Sequence, residues 1–255
     1  MAKRIDRTGQ ERINNFGSII VITRYNNKRD VDIYFPEYNW TAYNKQYGQF
    51  EKGTIKCPYE PRVYGKGYVG EGNYKSKTSD NTKHTNQYTK WKGMLERCYD
   101  PKYSIKNNTY IDCIVCDEWH NFQNFAQWYD NNYYEIDNEK MCLDKDILIK
   151  GNKIYSPDTC VFVPQSINSL FIKSDKTRGD LPIGVTREHK KYSAQCCNTL
   201  GIKRRIGIYN TIEEAFLAYK ETKEKTIKIM ADHYKSLIPE KLYNAMYEYE
   251  VEIDD

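Results

Sequence analysis

The sequence lacks any apolar run long enough to cross a membrane, and its first 15 residues lack the apolar core of a signal peptide. These absences argue against a membrane partner and predict a cytoplasmic protein. The apolar fraction of 39% and the mean hydropathy of −0.85 fit a soluble chain with modest cores. Tyrosine is abundant instead, with 24 residues whose rings suit both packing and polar surfaces.

Histidine is also scarce, and none of the four histidines stands in a recognisable motif. We therefore expect each of them to be structural or solvated rather than catalytic. They are His84, His120, His189 and His233.

The eight cysteines are expected to be thiols or metal ligands, because a reducing cytoplasm disfavours disulfides. Cys113 and Cys116 form the only close pair with metal-ligand spacing. Further cysteines would be needed to hold zinc, and Cys98, Cys142 or Cys160 could complete such a site. The alternative is that these cysteines are simply buried thiols, so zinc stays an open question.

Positive charge is concentrated in two stretches. Residues 1–77 carry 14 Lys or Arg against 8 Asp or Glu, and residues 181–236 carry 11 against 6. The stretch between them is close to neutral, and residues 237–255 are acidic. Within them we expect a short helix from Pro239 to about Tyr249, followed by a solvated acidic tail. Two basic regions suit a polyanion as the partner, because neutralising phosphates releases counterions.

Residues 182–219 have the pattern of a small sheet followed by a helix. Alternating apolar and polar residues predict strands at 183–187, 192–197 and 204–209. Thr211 and Glu214 have the spacing of a capping box that opens a helix. The helix carries an apolar stripe that can lie across the sheet, formed by Ala215, Phe216, Ala218 and Tyr219.

This stretch resembles the Apetala-two (ethylene-response-factor) DNA-binding domain. The resemblance is carried by Gly184-Val185, Lys191-Tyr192-Ser193-Ala194, Ile206-Gly207-Ile208-Tyr209, Glu213-Glu214-Ala215 and Ala218-Tyr219. That family lays its three-stranded sheet in the DNA major groove. The tryptophan and most of the arginines that read bases in the plant proteins are missing here, so no sequence preference is carried over.

With this resemblance, the alternation of the strands implies a DNA-binding face. Its expected members are Thr186, Lys191, Ser193, Gln195, Lys203 and Arg205. The expected phosphate contacts or flanking charges are Arg187, Lys190 and Arg204. The alternative is a basic sheet face that is only solvated.

Residues 1–64 predict a small β-barrel of the Src-homology-three type. Strands are expected at 19–25, 31–35 and 49–56, since apolar and polar residues alternate there. Several rings could serve either a barrel core or a nucleic-acid contact, namely Tyr38, Trp40, Tyr43 and Tyr47. Residues 65–87 are rich in Gly, Ser, Thr, Asn and Lys, which predicts a flexible linker.

Residues 88–172 make up the predicted middle module. A first helix carries one apolar face and ends near Pro101, and a strand is expected at 111–116. A second, aromatic-rich helix follows. Its rings have the spacing of a buried stripe, so we assign them to the core rather than to a ligand.

Beyond residue 143 the pattern predicts a strand, a Gly-Asn turn, a second strand at 160–163 and a short helix from Pro164. This ββα order resembles the HNH (His-Me finger) endonuclease-like proteins that are common in phages. The motifs that carry the resemblance are Leu143-Asp144-Lys145 and Tyr155-Ser156-Pro157-Asp158-Thr159-Cys160. In active members a first-strand histidine activates water, while an acidic neighbour and a helix residue hold one divalent metal.

Lys145 stands at the position of the activating histidine. A protonated lysine cannot accept a proton near pH 7, and the flanking Asp144 and Asp146 favour the protonated form. Asp144 could still bind Mg²⁺, with Asp158 or Asn168 as a second ligand. A nuclease centre built on Lys145 and Asp144 and a ββα scaffold kept for DNA binding are therefore both open.

We expect an α+β protein of phage or mobile-element origin that binds double-stranded DNA, in the cytoplasm of an infected bacterial cell. Three modules are expected, at 1–64, 88–172 and 182–255, joined by linkers at 65–87 and 173–181. Two alternatives are kept. One is a metal-dependent homing-type endonuclease that hydrolyses DNA phosphodiester bonds, and the other is an interaction module that inhibits a host protein.

Overall fold

The computed structural model describes residues 5–172, 179–253 and 255. The fold is mixed α+β, which confirms the class predicted from the sequence. Two compact units divide the chain, Met1–Asn131 and Asn132–Asp255, and each is described by itself. In the described ranges, no helix combines the length and the apolar character needed to span a membrane. Part of the linker expected at 173–181, residues 173–178, lies outside the described residues.

The first unit begins with strands and continues with helices. Its strands are β1 (Glu11–Ile13), β2 (Ile19–Asn27), β3 (Asp30–Phe35), β4 (Trp40–Lys45) and β5 (Ile114–Val115). Its helices are α1 (Tyr47–Glu51), α2 (Asn86–Tyr99), α3 (Pro101–Lys106), α4 (Asp117–His120) and α5 (Phe122–Asn132), which ends at the boundary between the units. Short 3-10 turns occur at Pro36–Tyr38 and Asn108–Tyr110.

Strands β1 to β4 form one antiparallel sheet in sequence order. Successive residues of a strand point to opposite faces, so alternate apolar residues of β2 and β3 meet in one core. The buried members on these strands are Ile20, Ile22, Val31, Ile33 and Phe35. The strands predicted at 19–25 and 31–35 are confirmed. The closed barrel is not found among the described residues, where the four strands form an open meander.

The strand predicted at 49–56 is wrong, because residues 47–51 form the short helix α1. Gln46 caps this helix, and its N–H donates to Gln49 Oε1 at 3.2 Å. Tyr47 and Phe50 are three residues apart, and both are buried in the core of the sheet. Apolar residues at that spacing share one side of a helical turn, whereas a strand would point them to opposite sides.

The segment 65–87 differs from the flexible linker that its composition predicts. Gln123 Nε2 donates to the Tyr74 carbonyl at 3.1 Å, and the Tyr74 N–H donates to Gln123 Oε1 at 3.0 Å. Gly67 is packed so tightly that a β-carbon there would lie 2.8 Å from the Trp91 ring. Small and polar residues therefore serve close packing here, which composition alone cannot distinguish from flexibility.

Helix α2 lies where the sequence predicts it, the predicted aromatic-rich helix is present as α4 and α5, and the short helix α3 is not predicted. α2 ends at Tyr99, and Asp100 then caps α3 by accepting the Lys102 N–H at 2.9 Å. The strand expected at 111–116 is reduced to the two residues of β5. The rings assigned to the core are buried, among them Trp91, Trp119, Phe122, Phe125 and Tyr129.

The second unit contains two groups of strands, each followed by a helix. Its strands are β6 (Met141–Asp144), β7 (Ile154–Tyr155), β8 (Val161–Pro164), β9 (Val185–Glu188), β10 (Lys191–Cys197) and β11 (Lys203–Tyr209). Its helices are α6 (Gln165–Leu170), α7 (Ile212–Tyr234) and α8 (Glu240–Tyr247). β6 pairs antiparallel with β8 and α6 follows at once, which agrees with the predicted ββα order, although β6 ends at Asp144.

The C-terminal sheet has the antiparallel order β11-β10-β9, with β10 in the middle. All three strands lie where the sequence predicts them, and so does the start of α7. The predicted capping box is present: the Glu214 N–H donates to Thr211 Oγ1 at 3.1 Å, and the Thr211 N–H donates to Glu214 Oε2 at 3.3 Å. These reciprocal bonds satisfy two backbone donors at the helix start.

Helix α7 belongs to two hydrophobic clusters. Its first turns pack on the C-terminal sheet through Ala215, Phe216 and Tyr219. Its last turns pack with residues of β8 and α6 through Ile227, Met230, Ala231 and Tyr234. The same helix is therefore core for both strand groups of the second unit.

The acidic tail differs from the solvated segment predicted by its composition. Val251 is 3% exposed in the cluster of the C-terminal sheet, and its N–H donates to Glu224 Oε1 at 2.9 Å. Lys150 Nζ forms ion pairs with Glu252 at 2.7 Å and with Asp255 at 2.9 Å. A lysine about 100 positions away in the chain thus holds the tail in place.

Candidate nucleic-acid interface

The sheet β9-β10-β11 has one side packed on α7 and one side that points away from it. Residues paired directly across neighbouring strands point to the same side of a sheet. Ser193 on β10 pairs with Thr186 and Ile208, whereas its neighbour Ala194 lies in the cluster under α7. We call the side that points away the open face. It comprises Thr186, Glu188, Lys191, Ser193, Gln195, Cys197, Lys203, Arg205 and Ile208.

All six residues that the sequence assigns to a DNA face lie on the open face. Lys191, Lys203 and Arg205 supply three exposed cations. Gln195 Nε2 donates to Thr186 Oγ1 at 3.3 Å, so two of the polar members also contact each other. The pairing register, rather than proximity in sequence, brings these side chains together.

The three expected flanking cations lie off the open face. Arg187 pairs with Tyr192 and therefore points to the α7 side, where its guanidinium carbon is 5.5 Å from the centre of the Tyr192 ring. Arg204 pairs with Cys196 on the same side and is exposed. Lys190 is exposed at the β9–β10 turn. These positions suit contacts at the edge of a bound molecule rather than beneath it.

A bulge in β11 decides which of its side chains reach the open face. Ala194 pairs with Gly207 and Gln195 pairs with Arg205, so Ile206 is the extra residue. Ile206 packs against the cluster under α7, and Arg205 points outward. Because a one-residue shift reverses every side chain beyond it, the bulge permits both Arg205 and Ile208 to lie on the open face.

Glu188 is an open-face residue that the sequence analysis does not identify. Its carboxylate forms an ion pair with Arg205, at 3.2 Å between Oε1 and Nη2. Glu188 is on β9 and Arg205 is on β11, so this pair crosses the middle strand. The alternation of side chains along β9 could have assigned Glu188 to the same face as Thr186. The ion pair with Arg205 could not be predicted, because Arg205 lies two strands away.

Ser193 lies on β10 between the positions that pair with Glu188 and with Arg205. The diagonal ion pair therefore extends across its position, and Ser193 is 0% exposed although it belongs to the open face. Its Oγ is buried and has no hydrogen-bond partner within the described part of the chain. Ser193 Oγ is therefore not accessible to a ligand in this conformation.

The loop after β6 holds Lys145 in a structural role, which argues against the catalytic role predicted for it. Lys145 is 5% exposed, and its Nζ donates to Asp146 Oδ2 at 3.1 Å and to the Asn152 carbonyl at 3.0 Å. Asn152 Nδ2 returns a bond to the Lys145 carbonyl at 2.6 Å. These two residues close the loop between them, and their polar groups bond within it.

Asp144 is also used by the backbone. Its Oδ1 accepts the N–H groups of Asp146 at 2.9 Å and of Ile147 at 2.8 Å, which caps the turn that follows β6. Burial raises the pKa of Asp144 to about 6, and the nearby charge of Asp146 adds to this. Of its two predicted co-ligands, Asp158 is exposed before β8 and Asn168 is half-buried on α6.

No group of three or more His, Cys, Asp or Glu side chains that could hold a metal ion occurs among residues 5–172, 179–253 and 255. The candidate zinc ligands Cys98, Cys113 and Cys116 of the first unit belong to no such group, and neither does Cys160 of the second unit. Cys113 Sγ instead donates to the Thr109 carbonyl at 3.8 Å. Burial raises the pKa of Cys116, which disfavours the thiolate that zinc requires.

Comparison of the chain with family models, curated proteins and solved structures finds no match. The resemblances to the Apetala-two domain and to the HNH endonucleases therefore stay predictions that depend on the quoted residues.

Proposed function

We propose that this protein binds double-stranded DNA through the open face of its C-terminal sheet. One observation carries the proposal: the six side chains selected from the sequence share one face, opposite the helix that fills the core. A three-stranded antiparallel sheet backed by a helix leaves that face uncovered by its own unit. Its exposed lysines and arginine suit phosphates, and its polar side chains suit base edges in a groove.

The charge distribution around this face supports the same function. Arg187 and Arg204 lie on the two outer strands with their side chains on the α7 side, and Lys190 lies at the β9–β10 turn. These cations flank the face, where they would meet the phosphate backbone on either side of a groove. Phosphate contacts of this kind fix the position of a protein on DNA, whereas sequence is read from the face itself. The Apetala-two family, which this stretch resembles, lays its sheet in the major groove, and we adopt that geometry here.

The test is binding of the full-length protein to a fluorescein-labelled random-sequence duplex, measured by anisotropy at several salt concentrations. We expect Lys191→Ala and Arg205→Ala each to weaken binding and to reduce the salt dependence by about one counterion. Lys225→Ala is the matched control, since Lys225 is exposed on α7. Equal affinity of all four proteins would contradict the proposal.

A second candidate, a metal-dependent DNA nuclease, is favoured by the order β6, β8 and α6. The contacts of Lys145 and Asp144 count against it, because both side chains are already bonded within their own loop. Supercoiled plasmid incubated with Mg²⁺ or Mn²⁺, against EDTA, separates the two functions. Nicking that Asp144→Ala abolishes would establish the nuclease, whereas retarded but intact plasmid would support DNA binding alone.

A further inference from the structure

The tip of the β10–β11 hairpin, residues 198–202, presents two apolar side chains to solvent. Leu200 is 78% exposed and Ile202 is 48% exposed. A single exposed leucine is ordinary on a protein surface. Two exposed apolar residues on one short tip, next to three consecutive cations, are less common and indicate a contact surface.

Asn198 makes three hydrogen bonds to the backbone of the tip. Asn198 Oδ1 accepts the N–H groups of Leu200 and Ile202, both at 3.0 Å, and the Asn198 N–H donates to the Ile202 carbonyl at 3.0 Å. Gly201 adopts a φ of +74°, which the turn needs and which favours glycine. These bonds restrain the backbone that carries Leu200 before any partner binds, which lowers the entropic cost of binding.

The surroundings of the tip indicate which partner it fits. Lys203, Arg204 and Arg205 follow the tip directly, and all three are exposed. The pair Cys197–Lys203 is the last pair of the sheet, so the tip projects beyond the end of the open face. Apolar side chains next to three cations suit double-stranded DNA as the partner. The cations can contact the phosphates, and the apolar side chains can contact the stacked bases.

We propose that Leu200, supported by Ile202, is an apolar wedge that enters a base step at the end of the DNA stretch covered by the open face. Leucine and isoleucine side chains that separate stacked base pairs in this way kink the duplex. This inference rests on the proposed function of the open face. It adds a local deformation of the DNA, which would favour the flexible pyrimidine–purine steps.

Separation of two stacked base pairs untwists the duplex, so the wedge can be tested without knowledge of a target sequence. The full-length protein is bound to relaxed circular plasmid, topoisomerase I is added, and the linking number is read after deproteinisation. We expect the unaltered protein to lower the linking number. Leu200→Ser should abolish this change at saturating protein and weaken binding about tenfold.

Leu217→Ser is the matched control, because Leu217 is 58% exposed on α7, away from the tip. Melting temperatures of both variants should equal that of the unaltered protein, since each lost side chain is exposed. Binding that Arg205→Ala weakens, without any change in linking number, would overturn the wedge and leave the proposed function standing. Equal affinity and equal linking-number change for Leu200→Ser and Leu217→Ser would also overturn the wedge and leave the proposed function standing. Absence of DNA binding would overturn both.

Discussion

The ring of Tyr219 occupies the space in which residue 184 would carry a side chain. Gly184 has a φ of +77°, and a β-carbon built there would stand less than 3.0 Å from three ring atoms of Tyr219. Tyr219 is itself buried in the cluster under the sheet. The glycine is thus required both by its backbone conformation and by the close approach of α7 to β9.

Replacement of Gly184 by alanine should therefore destabilise the protein strongly. The left-handed φ and the forced displacement of the ring together should lower the free energy of unfolding by roughly 3 kcal/mol. Gly201→Ala separates the two causes, because Gly201 has a φ of +74° and nothing within 4 Å of its built β-carbon. That control should lose only about 1 kcal/mol in urea unfolding. Equal losses would show that the ring moves aside without cost.

Glu188→Gln should strengthen non-specific DNA binding. The change removes a negative charge from the open face and releases Arg205 from its ion pair, so affinity at low salt should rise about fivefold. The salt dependence should steepen by about one counterion, which the anisotropy titration measures directly. Glu221→Gln makes the same charge change on an exposed position of α7 and should have little effect. Weaker binding of Glu188→Gln would instead mean that the carboxylate positions Arg205 for its target.

Asp144→Asn should change how stability depends on pH. The pKa of Asp144 is raised to about 6 by burial, so the folded state favours the protonated form. Its contribution to stability is complete below about pH 4, the unfolded pKa, and is lost as the pH rises through about 6. Asparagine has no such loss and still offers an oxygen to the two backbone N–H groups. After allowance for partial exposure, the variant should be more stable at pH 7.5 by about 1 kcal/mol.

This difference between Asp144→Asn and the unaltered protein should become small at about pH 3, where the Asp144 carboxyl is largely protonated in both the folded and the unfolded state. Urea unfolding at the two pH values measures it, and carboxyl ¹³C shifts measure the pKa itself. A carboxyl group that titrates near pH 4 would refute the expectation.

Two glycines of the first unit should respond in opposite ways to alanine. Gly67→Ala would press on the rings and methyl groups of α2 and should cost about 2 kcal/mol. Gly93 lies within α2 and has nothing within 4 Å of a built β-carbon, so Gly93→Ala should add up to about 1 kcal/mol of stability. Thermal unfolding of the two variants measures both changes. A neutral Gly67→Ala would mean that the segment around it is looser than its contacts imply.

Local signals explain why the C-terminal sheet and its helix could be predicted. Each strand alternates in polarity, and Thr211 and Glu214 mark the helix start within four residues of sequence. The same alternation failed at α1, because one helical turn carries too few residues for its period to be distinguished from that of a strand. Short elements that take their stability from tertiary packing leave little trace in the sequence.

The features missed at the candidate interface depend on partners that are distant along the chain. Glu188 and Arg205 meet across a strand, and the bulge at Ile206 exists only relative to β10. Lys150 forms ion pairs with acidic residues of the tail about 100 positions away. Because no local signal marks that partner, the sequence predicts a solvated tail. The residues that line the face could be predicted, whereas the ion pair between Glu188 and Arg205 is evident only from the strand register.

Helix α7 fixes the orientation of the C-terminal sheet relative to the pair β6 and β8. Its 23 residues form a rod of about 35 Å whose two ends are embedded in different cores. The sheet and its helix are therefore not a self-contained unit, because removal of α7 together with the sheet would take Ile227, Met230, Ala231 and Tyr234 out of the second core. DNA held on the open face would, for the same reason, stand at a set angle to the ββα scaffold. That angle is set by the continuous helix α7, Ile212–Tyr234.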